Sequence, residues 1–192
     1  MDIEWGYNEV LIKLEDQWKA AFITNEGLYE PTVMFFGLTN SPATFQTMMN
    51  TIFRDLIDEG NVTIYMDDIA IHMGPKPGES EPEHLERHRK LVRQVLERLQ
   101  MHDLHLNPEK CVFEQDHLDF LGVRVGGGTV QMEQSKVDRI KEWTQPRSVQ
   151  EVRKFLGFTG YYRYFIQGYS QIARPLLDLM KQATVWHWDD KE

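Results

Sequence analysis

The sequence predicts an α+β fold, with a small antiparallel sheet that has helices packed on one face and a mostly helical segment after it. Short runs of β-branched and aromatic residues lie close together between residues 9 and 73. Two longer stretches, residues 42–58 and 84–101, have apolar residues at helical spacing. From residue 135 onward the pattern is helical but is interrupted by glycine and proline.

Composition limits the class of protein. The 192 residues, 41% of them hydrophobic, suffice for one or two small domains and exclude a disordered chain. The single cysteine excludes an internal disulfide, and no apolar run is long enough to cross a bilayer. The net charge of −9 is uneven, because residues 1–83 hold four basic and 15 acidic side chains while residues 136–174 hold eight and three. This asymmetry is consistent with one site that binds cations and another that binds a polyanion. An ordinary solvated surface would give the same pattern and is the alternative.

The first elements are short. Residues 9–14 and 19–24 are β-type runs separated by polar residues, which predicts a hairpin, and a third strand is predicted near residues 29–35. Ser41-Pro42 supplies an N-cap and a proline at the first helical position, which predicts a helix over residues 42–58.

A tight hairpin is predicted next, because the β-rich runs 62–66 and 69–73 are joined only by Asp67-Asp68. Residues 74–82, with three prolines and two glycines, predict an exposed loop. Ser80 and Glu83 form a capping box before the helix over 84–101.

Strands are predicted over residues 110–113 and 117–125, the second ending at a run of three glycines. A second capping box, Ser148 with Glu151, predicts a helix in the C-terminal segment.

Asp67 and Asp68 are the leading candidates for chemistry. An Asp pair in a turn is by itself more often solvated than functional. Here the pair lies between two near-apolar strands, and Asp2 begins another short segment that ends in a strand. Three carboxylates converging from two strands could hold two divalent ions about 3.5–4 Å apart, an arrangement that supports phosphoryl transfer. Mg²⁺ prefers such oxygen ligands.

Four ordered blocks resemble the reverse transcriptase family. Tyr65-Met66-Asp67-Asp68 resembles its Y-x-D-D box, and residues 1–7 resemble the strand with the third catalytic Asp. Residues 35–46 resemble the nucleotide- and template-binding loop and helix, and residues 120–122 resemble the primer grip. Residues 155–166 are typical of gypsy-class LTR retrotransposon polyproteins. The four-letter box is a weak match alone, but together these blocks cover nearly the whole chain.

The resemblance implies an RNA-directed DNA polymerase with a palm over residues 1–125 and a thumb with the start of a connection over 126–192. The family's fingers and RNase H regions are expected to be missing from the chain. Asp2, Asp67 and Asp68 would be catalytic and would bind two Mg²⁺ ions together with the carbonyl oxygen of Ile3, with Mn²⁺ as the alternative ion.

The same resemblance implies a nucleotide site. Tyr7 would be the steric gate that excludes a 2′-hydroxyl, with simple packing as the alternative role. Phe36 and Gly37 would lie against the incoming dNTP, and Lys110 would protonate or stabilise the leaving pyrophosphate, with a solvated lysine as the alternative.

Primer and template contacts are implied for residues that include Lys154 and Arg163 of the basic, aromatic segment 136–174. The others are Tyr65, Met66, Phe120, Leu121 and Gly122. Ordinary core packing is the alternative for Met66 and for residues 120–122. The expected partners are an RNA or DNA template with its primer, dNTP and the RNase H, integrase and protease segments of a polyprotein, and no membrane. An intracellular location is expected, in a cytoplasmic virus-like particle, the nucleus or both.

Other functions stay open. A catalytically inactive, retrotransposon-derived module that binds nucleic acid or a protein is the main alternative, and a gene fragment without function is another. His84 and His88 are four residues apart, but no third ligand is near them in sequence, which favours surface histidines over a zinc site. His187 does not lie at a zinc-ligand spacing from other candidate ligands either.

Overall fold

A computed structural model describes residues 1–181, 186 and 188 of the chain. These residues form two compact units that divide between Glu114 and Gln115. The described helices are α1 (Ser41–Ile52), α2 (Arg54–Asp58), α3 (Glu81–Met101), α4 (Gln134–Lys141), α5 (Val149–Tyr161), α6 (Tyr169–Ile172) and α7 (Arg174–Asp178). The α+β prediction is confirmed, and so is a mostly helical C-terminal part.

All strand pairs in the described part of the chain are antiparallel, and they form three small sheets. The strands are β1 (Phe22–Thr24), β2 (Gly27–Tyr29), β3 (Val62–Tyr65), β4 (Asp68–Ile71), β5 (His117–Phe120), β6 (Val123–Gly126) and β7 (Thr129–Met132). The pairs β1–β2 and β3–β4 belong to the first unit, and the order β5-β6-β7 belongs to the second.

The core of the first unit packs the apolar faces of α1 and α3 against the β3–β4 hairpin and the N-terminal segment. Its fully buried side chains recur at helical spacing on both helices, which is the amphipathic pattern that drives such packing. Its main members are Ile3, Phe45, Met49, Phe53, Val62, Ile69, Leu91, Val95 and Leu99. The two helices therefore form the support on which the hairpin rests.

The second unit has a smaller apolar cluster around Val152, Leu176 and Leu179. Aromatic contacts extend it: Phe155, which packs against the cluster, lies 5.4 Å from Trp143, measured between ring centroids. Phe158 in turn packs on Trp143 and on Tyr162, with centroid distances of 5.5 and 5.6 Å. Many aromatics of the basic segment are thus packed against one another.

The predicted hairpin of residues 9–14 and 19–24 is wrong. Residues Leu14–Ala20 form a 3₁₀ helix, whose polar start includes Asp16 bonded to Lys19. The 9–14 run instead lies beside residues 32–34, because Ile12 N–H donates to the Thr32 carbonyl at 2.9 Å. Glu15 and Asp16, which the sequence suggested as part of a turn, therefore lie in the first turn of this helix, where negative charge is favourable.

Three other local predictions change. The helix over 42–58 breaks at Phe53, whose φ of −110° and ψ of 15° separate α1 from α2. Residues 110–113 are not a strand, since the Lys110 N–H closes a turn on the Asn107 carbonyl at 3.2 Å. The predicted strand 117–125 is two strands joined at Leu121-Gly122, where both φ angles are positive, and β7 was not predicted.

The first predicted capping box forms, and the second forms only in part. Ser80 and Glu83 cap α3 reciprocally as predicted. At α5, Ser148 accepts from the Glu151 N–H, but the Glu151 carboxylate accepts from the Arg147 N–H instead of from Ser148. No helix among the described residues is both long enough and apolar enough to cross a membrane. The boundary at residues 125 and 126 stays a prediction.

Candidate active site

The β3–β4 hairpin presents the two adjacent aspartates at its tip. Tyr65 pairs with Asp68, so the turn consists of Met66 and Asp67, one residue earlier than the sequence suggested. Met66 has a φ of 56°, a conformation that glycine usually takes. The shift leaves Asp67 exposed at the tip and places Asp68 on the first residue of β4.

The N-terminal segment runs antiparallel beside this tip. Asp2 forms a single bridge with Asp68. Ile3, which is buried, donates its N–H to the Asp67 carbonyl at 2.9 Å, and the Ile69 N–H donates to the Met1 carbonyl at the same distance. The backbone therefore brings Asp2, Asp67 and Asp68 together from two separate segments, as the sequence predicted.

The carboxylates act on one another electrostatically. The pKa of Asp68 is raised, first by partial burial and then by the negative charges of Asp67 and Asp2. Lys110 opposes this accumulation of charge, because its Nζ lies 3.2 Å from Oδ1 of Asp2. A site that accumulates negative charge in this way favours a cation.

The donor set fits a hard cation in chemistry but does not close around one. Among the residues that the structure describes, no group of three or more His, Cys, Asp or Glu side chains is arranged to hold a metal ion. Mg²⁺ usually takes one or two carboxylates and completes its shell with water and substrate phosphates. Asp2, Asp67 and Asp68 would therefore need a substrate to complete the coordination.

An aromatic group borders the carboxylates. Tyr7 lies 4.9 Å from Phe36 and 5.5 Å from Phe45, measured between ring centroids. The pKa of Tyr7 is raised, mainly by burial and then by the negative charge of Asp67. Phe36 is 72% exposed, and the space around the Cα of Gly37 is open. Tyr7 and Phe36 form a surface that a ligand could reach.

The predicted primer-grip residues form the β5–β6 turn of the second unit. Leu121 and Gly122 have φ angles of 49° and 77°, and Tyr161 of α5 donates its hydroxyl to the Leu121 carbonyl at 2.6 Å. Phe120 pairs with Val123. In the same unit, Lys154 is exposed on α5, and the Arg163 guanidinium lies 5.1 Å from the exposed ring of Tyr164.

Two residues at these sites had no assigned role in the sequence. Tyr161 supports the 121–122 turn, and Gln46 hydrogen-bonds the backbone on both sides of Tyr65. The sequence offered only a weak signal, since both lie inside blocks that resemble the family's motifs. In the described part of the chain, His84 and His88 are not joined by a third side chain that could complete a metal site. His187 lies outside the described residues.

Comparisons with known proteins agree with these motifs. A family model described as reverse transcriptase (RNA-dependent DNA polymerase) matches residues 1–125. The Transposon Tf2-3 and Tf2-4 polyproteins of Schizosaccharomyces pombe are each 35% identical to the chain over 188 residues, which is 98% of the chain. The chain spans only 13% of the length of these polyproteins.

Solved structures show the same fold. The foamy viral protease-reverse transcriptase in complex with an RNA/DNA hybrid matches with a TM-score of 0.81 at 24% identity, over 99% of the chain and 25% of that protein. The dRH form of that enzyme in complex with double-stranded DNA matches with a TM-score of 0.86 at 23% identity, over 99% of the chain and 32% of that protein.

Proposed function

The chain belongs to the reverse transcriptase family, and from this premise we propose that it acts as an RNA-directed DNA polymerase. It would transfer a nucleotidyl group from dNTP to the 3′-hydroxyl of a primer. The observation that supports this most is the backbone pairing that brings Asp2 beside Asp67 and Asp68 at the hairpin tip. The palm would cover residues 1–125, and the thumb with the start of the connection would cover 126–192.

Asp2, Asp67 and Asp68, with the carbonyl of Ile3, would hold two Mg²⁺ ions, or Mn²⁺ instead. When bound, such ions activate the attacking 3′-hydroxyl and stabilise the charge on the leaving pyrophosphate. The family is generally dependent on divalent metals. The mutual repulsion that raises the pKa of Asp68 supports this role, because a cation would relieve it.

Lys110 would stabilise the departing pyrophosphate. Its Nζ already lies at the edge of the carboxylate group, 3.2 Å from Asp2, and its side chain is 63% exposed. A long lysine stem allows the ammonium to move from Asp2 to a phosphate without a change in the backbone. Charge stabilisation of this kind is a large contribution to phosphoryl transfer.

Tyr7 would be the steric gate beneath the sugar, and Phe36 and Gly37 would lie against the incoming dNTP, with Gly37 allowing a close approach of the protein backbone. The contact of the Tyr7 ring with Phe36 on one side and with buried Phe45 on another supports a fixed ring position. A fixed ring excludes a 2′-hydroxyl by contact, whereas a mobile one would yield to it.

Template and primer would bind at both units. The set would comprise Tyr65 and Met66 at the hairpin, the turn Phe120-Leu121-Gly122, and Lys154 and Arg163 on the basic segment. The relatives are polyproteins, so we also propose RNase H, integrase and protease segments as partners. The location would be a cytoplasmic virus-like particle, the nucleus or both.

Templated primer extension tests this proposal. The 192-residue chain is incubated with a primed RNA template, Mg²⁺ and either dNTP or rNTP. We expect addition of the complementary dNTP, a much slower addition of rNTP, and no addition when the divalent ion is chelated. An absence of templated addition would refute polymerase activity for this chain.

A catalytically inactive nucleic-acid-binding module is the second candidate. Two observations favour it: the carboxylates do not close into a metal-holding group in the described residues, and Lys110 already forms an ion pair with Asp2. This candidate predicts binding to a template–primer that weakens with salt, through the basic segment 136–174, and that responds neither to Mg²⁺ nor to Asp67→Asn. Fluorescence anisotropy of a labelled duplex distinguishes the two candidates.

A further inference from the structure

The turn that carries Asp67 needs support from outside the hairpin. It has only two residues, and Met66 occupies a left-handed conformation with a φ of 56°. For a side chain other than glycine this conformation is strained, and it persists only where surrounding contacts hold it. Ile3 supplies one such contact from the N-terminal segment, through the Asp67 carbonyl.

Gln46 supplies the opposite contact from α1. Its Oε1 accepts a hydrogen bond from the Met66 N–H at 2.7 Å, and its Nε2 donates to the Ile64 carbonyl at 3.3 Å. One side-chain amide thus joins the backbone on both sides of Tyr65. The Nε2 atom also donates to Oδ1 of Asn50, one turn further along α1, at 2.8 Å.

The helix segment that carries Gln46 is anchored in the core. Phe45 and Met49, which flank it at one and three residues, are both fully buried. Side chains packed at this density have little room to move. Gln46 therefore projects from a rigid support to the backbone of a strained turn.

We propose that Gln46 is a positioning residue for the carboxylate turn: its amide fixes the backbone at Met66 so that Asp67 and Asp68 face Asp2. This inference rests on the proposed polymerase function. In this role Gln46 acts through the backbone that carries the carboxylates, by its hydrogen bonds at Met66 and Ile64. A misplacement of reacting groups by about 1 Å can slow catalysis by about a hundredfold.

The chemistry of the side chain is specific. A glutamate would keep the acceptor for the Met66 N–H, but it would lose the donor to the Ile64 carbonyl. A methionine has nearly the same shape and removes both bonds. Asn50→Ala is the matched control, because it removes the partner on α1 and leaves both backbone contacts in place.

The test compares the full chain with its Gln46→Met, Gln46→Glu and Asn50→Ala variants. Amide hydrogen exchange at Met66 reports the turn directly. We expect roughly fivefold faster exchange in Gln46→Met and nearly unchanged exchange in Gln46→Glu and Asn50→Ala. Exchange at the core amides of α1 should not change in any of them.

Single-nucleotide addition supplies the second readout. We expect kcat to fall by about tenfold or more in Gln46→Met, with the KM for dNTP within about twofold of the wild-type value, because the change affects alignment and not substrate binding. Unchanged Met66 exchange, or faster exchange with an unchanged kcat, would overturn the inference. An inactive wild-type chain would instead refute the proposed function, so the two failures are distinguishable.

Discussion

Gly6, next to Tyr7 in the chain, packs closely against the Phe45 ring of α1. A Cβ atom at this position would lie 2.7 Å from Cζ of Phe45, 3.1 Å from its Cε2 and 3.4 Å from Cγ2 of Ile3. The Phe45 ring is completely buried, so it cannot move aside without displacing the core. Overpacking of this kind costs about 1–3 kcal/mol. We therefore expect Gly6→Ala to lower the free energy of unfolding by that amount.

Urea denaturation followed by circular dichroism measures the loss. Gly74→Ala is the matched control, because Gly74 is in the same unit, its φ is not in the left-handed range and no atom lies near its Cβ direction. The control should be as stable as wild type or more stable by up to about 1 kcal/mol. Phe45→Leu should partly relieve the clash, so the double variant with Gly6→Ala should be less destabilised than the sum of the single changes. Equal stability of Gly6→Ala and Gly74→Ala would refute the close approach.

Two further predictions concern other sites. Gly122→Ala should destabilise the protein by more than Gly128→Ala does. Both glycines have positive φ, at 77° and 72°, which alone costs about 1 kcal/mol on substitution, but only the first would place a Cβ 2.9 Å from the hydroxyl of buried Tyr162. Equal losses of stability in thermal melts would contradict this contact. The Arg98 guanidinium lowers the pKa of Asp55 from 3.8 to about 2. Because the folded-state pKa is the lower one, this pair stabilises above about pH 4 and its contribution disappears as the pH falls toward 2. Asp55 is mostly exposed, so we expect the pair to contribute less than about 1 kcal/mol to the free energy of unfolding. Urea titrations at pH 2–6 should show this as a difference in stability between wild type and Arg98→Met that disappears at acid pH.

Local signals predicted the elements that local energetics determine. The capping box of Ser80 and Glu83 identified the start of α3, and the apolar spacing from Phe45 to Leu56 identified the helical stretch that α1 and α2 share. The short β-rich runs around Asp67 predicted the hairpin, because two such runs joined by so few residues have little other way to pair.

Contacts between distant residues were not predictable from spacing. Lys110 meets Asp2 across 108 residues, and Gln46 meets Met66 across 20. The Leu121-Gly122 turn could not be predicted because its residues continue an apolar run. The Tyr161 hydroxyl that supports the turn lies 40 residues away in sequence. The turn in β3–β4 shifted by one residue because Met66 adopts a conformation that its side chain does not suggest. The family resemblance suggested the candidate site residues, whereas these support contacts come from the fold.

The role of the hairpin carboxylates is tested most directly by the rate of single-nucleotide addition to a primed RNA template. Asp67→Asn keeps the size of the side chain and removes its charge, and Asp103→Asn does the same in another turn, at a residue with a φ of 54° that Asn tolerates well. We predict that Asp67→Asn slows addition by about 10²–10³-fold or more and that Asp103→Asn leaves the rate unchanged. Addition by Asp67→Asn at the wild-type rate would contradict the assignment of the active site.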